Sequence, residues 1–273
     1  MQAFWLRPYD HKVKFDDAAQ IVADIPRPHI PSRRAVLLYE HIIKYRPERL
    51  LELGTARGGS AVFMASALDE NGTGHLTTVD STRWTWKNPT PAEVLEKAGL
   101  SQFVTIDKSA STYAWFTKRE LESCMDEAGI VHPKYDFIFL DGAKNWSTDG
   151  VTCIVAERLL RPGGWLLLDD LTWTYEKHCR NKQRHYDIDL TKLSDSERTQ
   201  PHLQAIFDLL IRTNPAFDEF IVQDDWWGWA RKAPIAGPAV NGSARPATQD
   251  TRETAARPRG GGLVGLMRRT LRG

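Results

Sequence analysis

An open α/β domain with a mostly parallel sheet and helices on both faces is predicted by three observations. First, an apolar strand at 49–53 runs through a glycine-spaced turn into an apolar-periodic helix starting at Ser60, the step from which parallel sheets are built. Second, Tyr135-Asp136-Phe137-Ile138-Phe139-Leu140 and Trp165-Leu166-Leu167-Leu168 read as strands buried on both faces. Third, strand candidates end in acids: Asp80 after 75–79, Asp141 after 135–140 and Asp169-Asp170 after 165–168. In such a sheet the carboxyl ends of the strands form the ligand crevice, so these acids should converge on it.

Residues 1–31 mix aromatics and charges with Pro26, Pro28 and Pro31, which predicts an irregular N-terminal arm and not a separate domain. Ser32 is placed to cap a helix to about Lys44, because Val36-Leu37-Leu38, Ile42 and Ile43 recur at helical spacing. In the turn after Leu53, Gly54 and Gly58 permit positive φ and close backbone approach, and the amides at the helix start face whatever binds there. The second strand, 75–79, leads to a loop whose Trp84 and Trp86 either line a pocket or pack locally. Pro91 opens a helix to Ala98. Gln102 to Ile106 reads as the third strand, followed by the polar turn 107–111 and a helix running to Gly129.

Beyond the fourth strand, Val151 to Leu160 is helical and Arg161-Pro162-Gly163-Gly164 turns into the fifth. Leu171 to Gln200 has no clear period and is long enough for a substrate loop or lid. Pro201 to Arg212 reads as a helix packing through Leu203, Ile206, Phe207 and Leu210. Phe217 to Val222 and Trp226 to Ala230 read as a hairpin. The predicted domain therefore spans 32–233. Residues 234–273 form a tail, polar and Pro/Gly/Ala-rich to Gly262, which predicts disorder. At its end Leu263, Val264, Met267 and Leu271 alternate with Arg268, Arg269 and Arg272, a basic amphipathic pattern over 263–272 open to two readings, a solvated tail or a peripheral membrane contact.

The chain of 273 residues carries a net charge of +1, unevenly spread. Residues 232–273 hold eight Lys/Arg against two Asp/Glu, so the first 231 residues carry −5. A mildly acidic domain argues against a nucleic-acid partner. Cys124, Cys153 and Cys179 have no metal-ligand spacing and leave one thiol over in any disulfide scheme; with no signal peptide or apolar span, this predicts a reducing, cytoplasmic setting.

The G-x-x-x-G spacing departs from the G-x-G-x-x-G of dinucleotide sites. Asp80 lies about 20 residues beyond the second glycine, where an acid can accept from both hydroxyls of a ribose; a turn or cap role is the alternative. Glu52, Gly54, Gly58 and Asp80 together make an E-x-G-x-x-x-G … D series. Over about residues 33–231 the chain resembles the class I methyltransferases that use S-adenosylmethionine, and Glu52-Leu53-Gly54-Thr55-Ala56-Arg57-Gly58-Gly59-Ser60 is most similar to their catechol-type and sugar-type O-methyltransferases. The resemblance implies a Rossmann-like methyltransferase fold with seven strands, the last antiparallel. It implies donor contacts from Glu52, Gly54, Thr55, Gly58, Ser60, Asp80, Ser109 and Asp141, although Ser109 also fits a plain helix cap.

Asp141, Asp169 and Asp170 brought together repel one another, and a hard divalent cation, Mg²⁺ by default, is the natural compensation. Capping by Asp169 or Asp170 is the alternative. In the metal-dependent O-methyltransferases that the chain resembles, one Asp ends the fourth strand and an Asp followed by Asn or Asp ends the fifth; Asp170 stands where the catechol type has Asn. Lys144 matches the catalytic lysine of their D-x-x-K pattern, whereas the second acid of the sugar-type D-G-D is missing from Asp141-Gly142-Ala143. A desolvated Lys144 beside a cation would have a lowered pKa and act as base, with Asp141 as its catalytic neighbour. A solvated surface lysine is the other reading, and His178 and His185 are alternative bases. The expected function is metal-assisted O-methylation of a sugar, natural product or glycan. Alternatives are a catechol-type acceptor or a non-catalytic donor-binding protein localised by its tail; a homo-oligomer is compatible with either.

Overall fold

The computed structural model describes residues 12–26, 28–83, 88–179, 181–185 and 188–234. Trp84, Trp86 and the whole tail from 235 onward, including the amphipathic 263–272, lie outside the described residues. The described residues belong to one compact unit, Met1–Ile235.

Helices α1 (Phe15–Ala23) and α2 (Ser32–Tyr45) precede β1 (Arg49–Leu53), α3 (Gly59–Asn71) and β2 (His75–Val79). Then come α4 (Pro91–Ala98), β3 (Val104–Asp107), α5 (Tyr113–Ser123), β4 (Tyr135–Leu140), α6 (Trp146–Leu159) and β5 (Leu160–Leu168). The following segment holds α7 (Tyr175–His178), the small pair β6 (Arg184–His185) and β7 (Ile188–Asp189), and α8 (Asp195–Thr199). Helix α9 (His202–Ile206) continues as a π-helical turn, Phe207–Ile211, before β8 (Phe217–Gln223) and β9 (Trp227–Lys232).

One seven-stranded sheet has the order β3-β2-β1-β4-β5-β9-β8. Strands β1 to β5 pair in parallel, and β9 runs antiparallel to both β5 and β8. This is the Rossmann-like methyltransferase arrangement with the expected antiparallel hairpin. The apolar runs in β1, β4 and β5 are buried on both sides because successive side chains enter opposite layers. Leu50, Phe137, Phe139, Trp165 and Leu167 join the core under α1 to α4. Leu51, Leu53, Ile138, Leu140, Leu166 and Leu168 join the core that contains residues of α5, α6 and α9.

Several boundaries differ from the sequence expectation. The arm is not wholly irregular: it contains α1, whose Ala18 and Val22 are buried. Ser32 does not cap α2, which starts after Pro31 without a side-chain cap bond. The first residues assigned to the third strand form a short 3₁₀ turn, Ser101–Phe103. The helix expected to reach Gly129 stops at Ser123, where Cys124 takes the C-cap. Helix α6 starts five residues before Val151, capped by Asn145. Arg161-Pro162-Gly163-Gly164 is part of β5, entered through an irregular register between Tyr135 and Phe137.

Candidate active site

Beyond β2, β4 and β5 the ladder continues by one residue, and that residue is an acid. The amide of Asp80 donates to the Asp107 carbonyl at 2.9 Å, that of Asp141 to Leu53 at 2.9 Å and that of Asp169 to Leu140 at 3.0 Å. Strand register alone therefore lines up three carboxylates along the crest of the sheet.

The turn after β1 is built from left-handed residues, Gly54 (φ 126°), Ala56 (φ 46°) and Gly58 (φ 80°). A Cβ at position 54 would overlap the Asp141 carbonyl oxygen, so glycine is required there. Gly58 caps α3. Glu52 is fully buried beneath the turn, accepting from the hydroxyls of Ser60 and Thr78, and the Thr78 hydroxyl lies 2.7 Å from that of Thr55. Burial raises the Glu52 carboxyl to about 7, against the pull of its two hydroxyl donors. Glu52 thus braces the turn from below, while Gly54, Thr55 and Ser60 line the small cleft beside Asp141 and Asp169. The arm packs on top: a Cβ at Gly59 would meet the Pro28 carbonyl oxygen, and Pro28, His29 and Ile30 line the same cleft.

Asp80 is buried and accepts from the Ala56 amide at 3.1 Å, the Ser81 amide at 2.8 Å and the Tyr113 hydroxyl at 3.2 Å. It sits where two cavities meet. One, of about 260 Å³, is lined by Asp80, Ser81, Ser111, Tyr113, Ala143 and Thr148 among others. The other, of about 780 Å³, contains Gly54, Asp80, Asp141, Lys144, Asp169 and Asp170, with Trp173 and Trp226 on its wall. Gly58 and Ser109 line neither; the exposed Ser109 instead donates its amide to Asp107 at 2.7 Å.

Asp141, Asp169 and Asp170 each offer one oxygen, and these oxygens lie within 4.8 Å of one another. The hydroxyl-free, carboxylate-only donor set suits a hard divalent cation. Lys144 and Asp170 both adopt positive φ, 62° and 63°. The Lys144 ammonium bonds Asp141 and lies 2.5 Å from Asp170 Oδ2. Burial and the neighbouring carboxylate of Asp170 outweigh Lys144 and push Asp141 up to about 7; burial likewise holds Asp169 well above the ordinary range. Burial works to lower the Lys144 pKa, but Asp141 and Asp170 overcome it and hold the amine protonated, opposite to the lowered pKa expected from the sequence. His178 and His185 both line the larger cavity, and burial lowers His185 to about 4.

Three contributors escaped the sequence reading. Tyr113 closes on Asp80 from α5. Asp149, fully buried in the first turn of α6, accepts from the amides of Ala143 at 3.1 Å and Asn145 at 2.9 Å and so holds the loop that carries Lys144. Arg34 of α2 lies over the Trp226 ring, 4.6 Å from its centroid, and 3.8 Å from Asp169.

Residues 51–171 match the model of a family described as a methyltransferase domain. A putative O-methyltransferase from Klebsiella pneumoniae is 21% identical, with TM-score 0.54, over 80% of this chain and 89% of that one. An O-methyltransferase from Bacillus cereus, solved with SAH, is 19% identical, with TM-score 0.53, over 84% and 93%. The O-methyltransferase TomG from Streptomyces achromogenes, involved in tomaymycin synthesis and solved with SAM, is 18% identical, with TM-score 0.52, over 80% and 89%. These likenesses establish a common fold. No curated protein sequence matches the chain.

Proposed function

From the match of residues 51–171 to a methyltransferase domain, we propose that the chain is a class I, S-adenosylmethionine-dependent enzyme that methylates a hydroxyl of a sugar, natural product or glycan with the help of a divalent cation. The observation that carries this reading is the convergence of Asp141, Asp169 and Asp170 beside Lys144, in the same cavity as Asp80. Asp80 would accept from the donor's ribose, the turn 54–60 would hold its chain end, and the cavity beside Tyr113 and Ser111 would take its base. The donor supplies an electrophilic methyl group; Mg²⁺ on the three carboxylates would supply charge that makes the acceptor hydroxyl more acidic. Methyl transfer releases the acceptor's hydroxyl proton; Lys144 Nζ, set between Asp141 and Asp170, would take that proton as base after first giving up its own to solvent. The arm, through Pro28 to Ile30, lines the same cleft as the donor turn and would shield that side from water. Holding acceptor and donor in one cavity contributes a proximity effect.

A catechol-type acceptor is the second reading, favoured by the Asp141-x-x-Lys144 pairing and by Trp173 and Trp226 in the cavity wall. Transfer of labelled methyl from S-adenosylmethionine to panels of polyols, glycosides and catechols, with and without Mg²⁺, tests both. Donor binding without transfer to any of them would leave only a non-catalytic binding protein.

A further inference from the structure

Trp227 opens β9 and takes no part in the chemistry above. Its ring is 1% exposed, and its Nε1 donates to Asp169 Oδ1 at 2.8 Å. The register explains the meeting: Leu168 pairs with Gly228, so residue 227 lies alongside the acid just past the end of β5. The ring cannot swing away, being packed edge-on against Phe139 (centroids 6.1 Å, 74°) and Trp229 (5.8 Å, 80°).

The same oxygen takes the carboxylate's other hydrogen bond and lies near Arg34. The Asp170 amide donates to Oδ1 at 2.7 Å, and Arg34 Nη1 lies 3.8 Å from it. Among the described residues no hydrogen bond reaches Oδ2. With both of these hydrogen bonds on Oδ1, the carboxylate is held from that side and Oδ2 is left for a ligand. Trp229, two residues on, spends its N–H on Gln223 at 3.1 Å and serves as an internal contrast.

We infer that Trp227 is a positioning residue for cation binding: its N–H holds Oδ1 so that Asp169 turns Oδ2 to Asp141 and Asp170. This rests on the cation reading given under the proposed function. Loss of such an outer partner typically weakens a metal site about 10- to 100-fold. The full chain, with Mn²⁺ as the probe followed by its spin-resonance signal, tests this. Trp227→Phe and replacement of Trp227 by β-(3-benzothienyl)alanine, which keeps the ring shape but has sulfur in place of N–H, should each weaken Mn²⁺ about 10- to 100-fold. Affinity for S-adenosylmethionine and the metal-free melting temperature of the isostere should stay unchanged, and Trp229→Phe should bind Mn²⁺ normally. If Trp227→Phe fails to fold, the isostere decides. Unaltered Mn²⁺ affinity in the isostere, or equal weakening in Trp229→Phe, overturns the inference and leaves the cation reading standing. No Mn²⁺ binding by the unaltered chain overturns both.

Discussion

Lys144 Nζ lies 2.5 Å from Asp170 Oδ2 and bonds Asp141 from the same position, so one ammonium spans two of the three clustered carboxylates. Lys144→Ala should lower kcat by about 10²–10⁴, the range for one general acid or base, with donor affinity little changed. Lys144→Arg discriminates between roles, because a guanidinium keeps its proton near neutral pH. A fully active Lys144→Arg enzyme would mean that the lysine supplies charge alone.

On the proposed cation reading, chelation should stop turnover and leave donor binding nearly intact, since the carboxylates would hold the acceptor and not the donor. The measurement is labelled methyl transfer after chelation, then after return of Mg²⁺. Full activity in chelator would make the cluster a structural one, neutralised by Lys144 and Arg34.

Asp80→Ala should weaken S-adenosylmethionine binding by about 1.5–3 kcal/mol, the range for losing hydrogen bonds to a charged acceptor. Calorimetry on the variant reads this directly. Because the Ala56 amide and the Tyr113 hydroxyl also lose an acceptor, Tyr113→Phe serves as the companion variant, with a smaller loss expected.

Asp149→Ala leaves the half-buried amides of Ala143 and Asn145 without their acceptor, at up to about 1 kcal/mol for each. The melting temperature should fall, and kcat should fall with it because the Lys144 loop loses its anchor. A variant that melts lower but turns over normally would separate Asp149 from the chemistry.

Glu52 gives stability a pH dependence of predictable sign. Its folded-state pKa, about 7, lies above the ordinary carboxyl value, so the folded chain keeps a proton that the unfolded chain has released. Its contribution is fully present below about pH 4.3 and declines as pH rises to about 7, by on the order of 3 kcal/mol. Asp149, raised by burial to about 6, acts in the same sense. Chemical denaturation at several pH values should show Glu52→Gln with a shallower slope across that window; an unchanged slope would place the titration elsewhere.

What was legible in the sequence is what depends on local pattern. Strands β1, β2 and β4 and helix α4 have the expected bounds, because apolar runs closed by Gly, Pro or Asp leave little choice. The acids at the strand ends could be read as convergent for the same reason. The start of β5 was not legible: Pro162-Gly163-Gly164 has the composition of a turn, and only pairing with β4 draws it into the sheet. The donor contact at Ser109 is implied by the resemblance alone, and the spacing did not show that Asp107, two residues away, takes its amide and hydroxyl. The Trp227 to Asp169 bond joins residues 58 apart, and no spacing rule connects them.

Gly54 and Asp141 meet backbone to backbone, with no room for even a methyl group between them. The turn that would cradle the donor and the loop that would act on the acceptor therefore share a single partition. A residue larger than glycine at 54 would fit only if the backbone at 141 moved with it. Chimaeras joined anywhere between positions 54 and 141 should fail far more often than those joined outside this interval, so the two segments form one unit of inheritance, although 86 residues separate them in the chain.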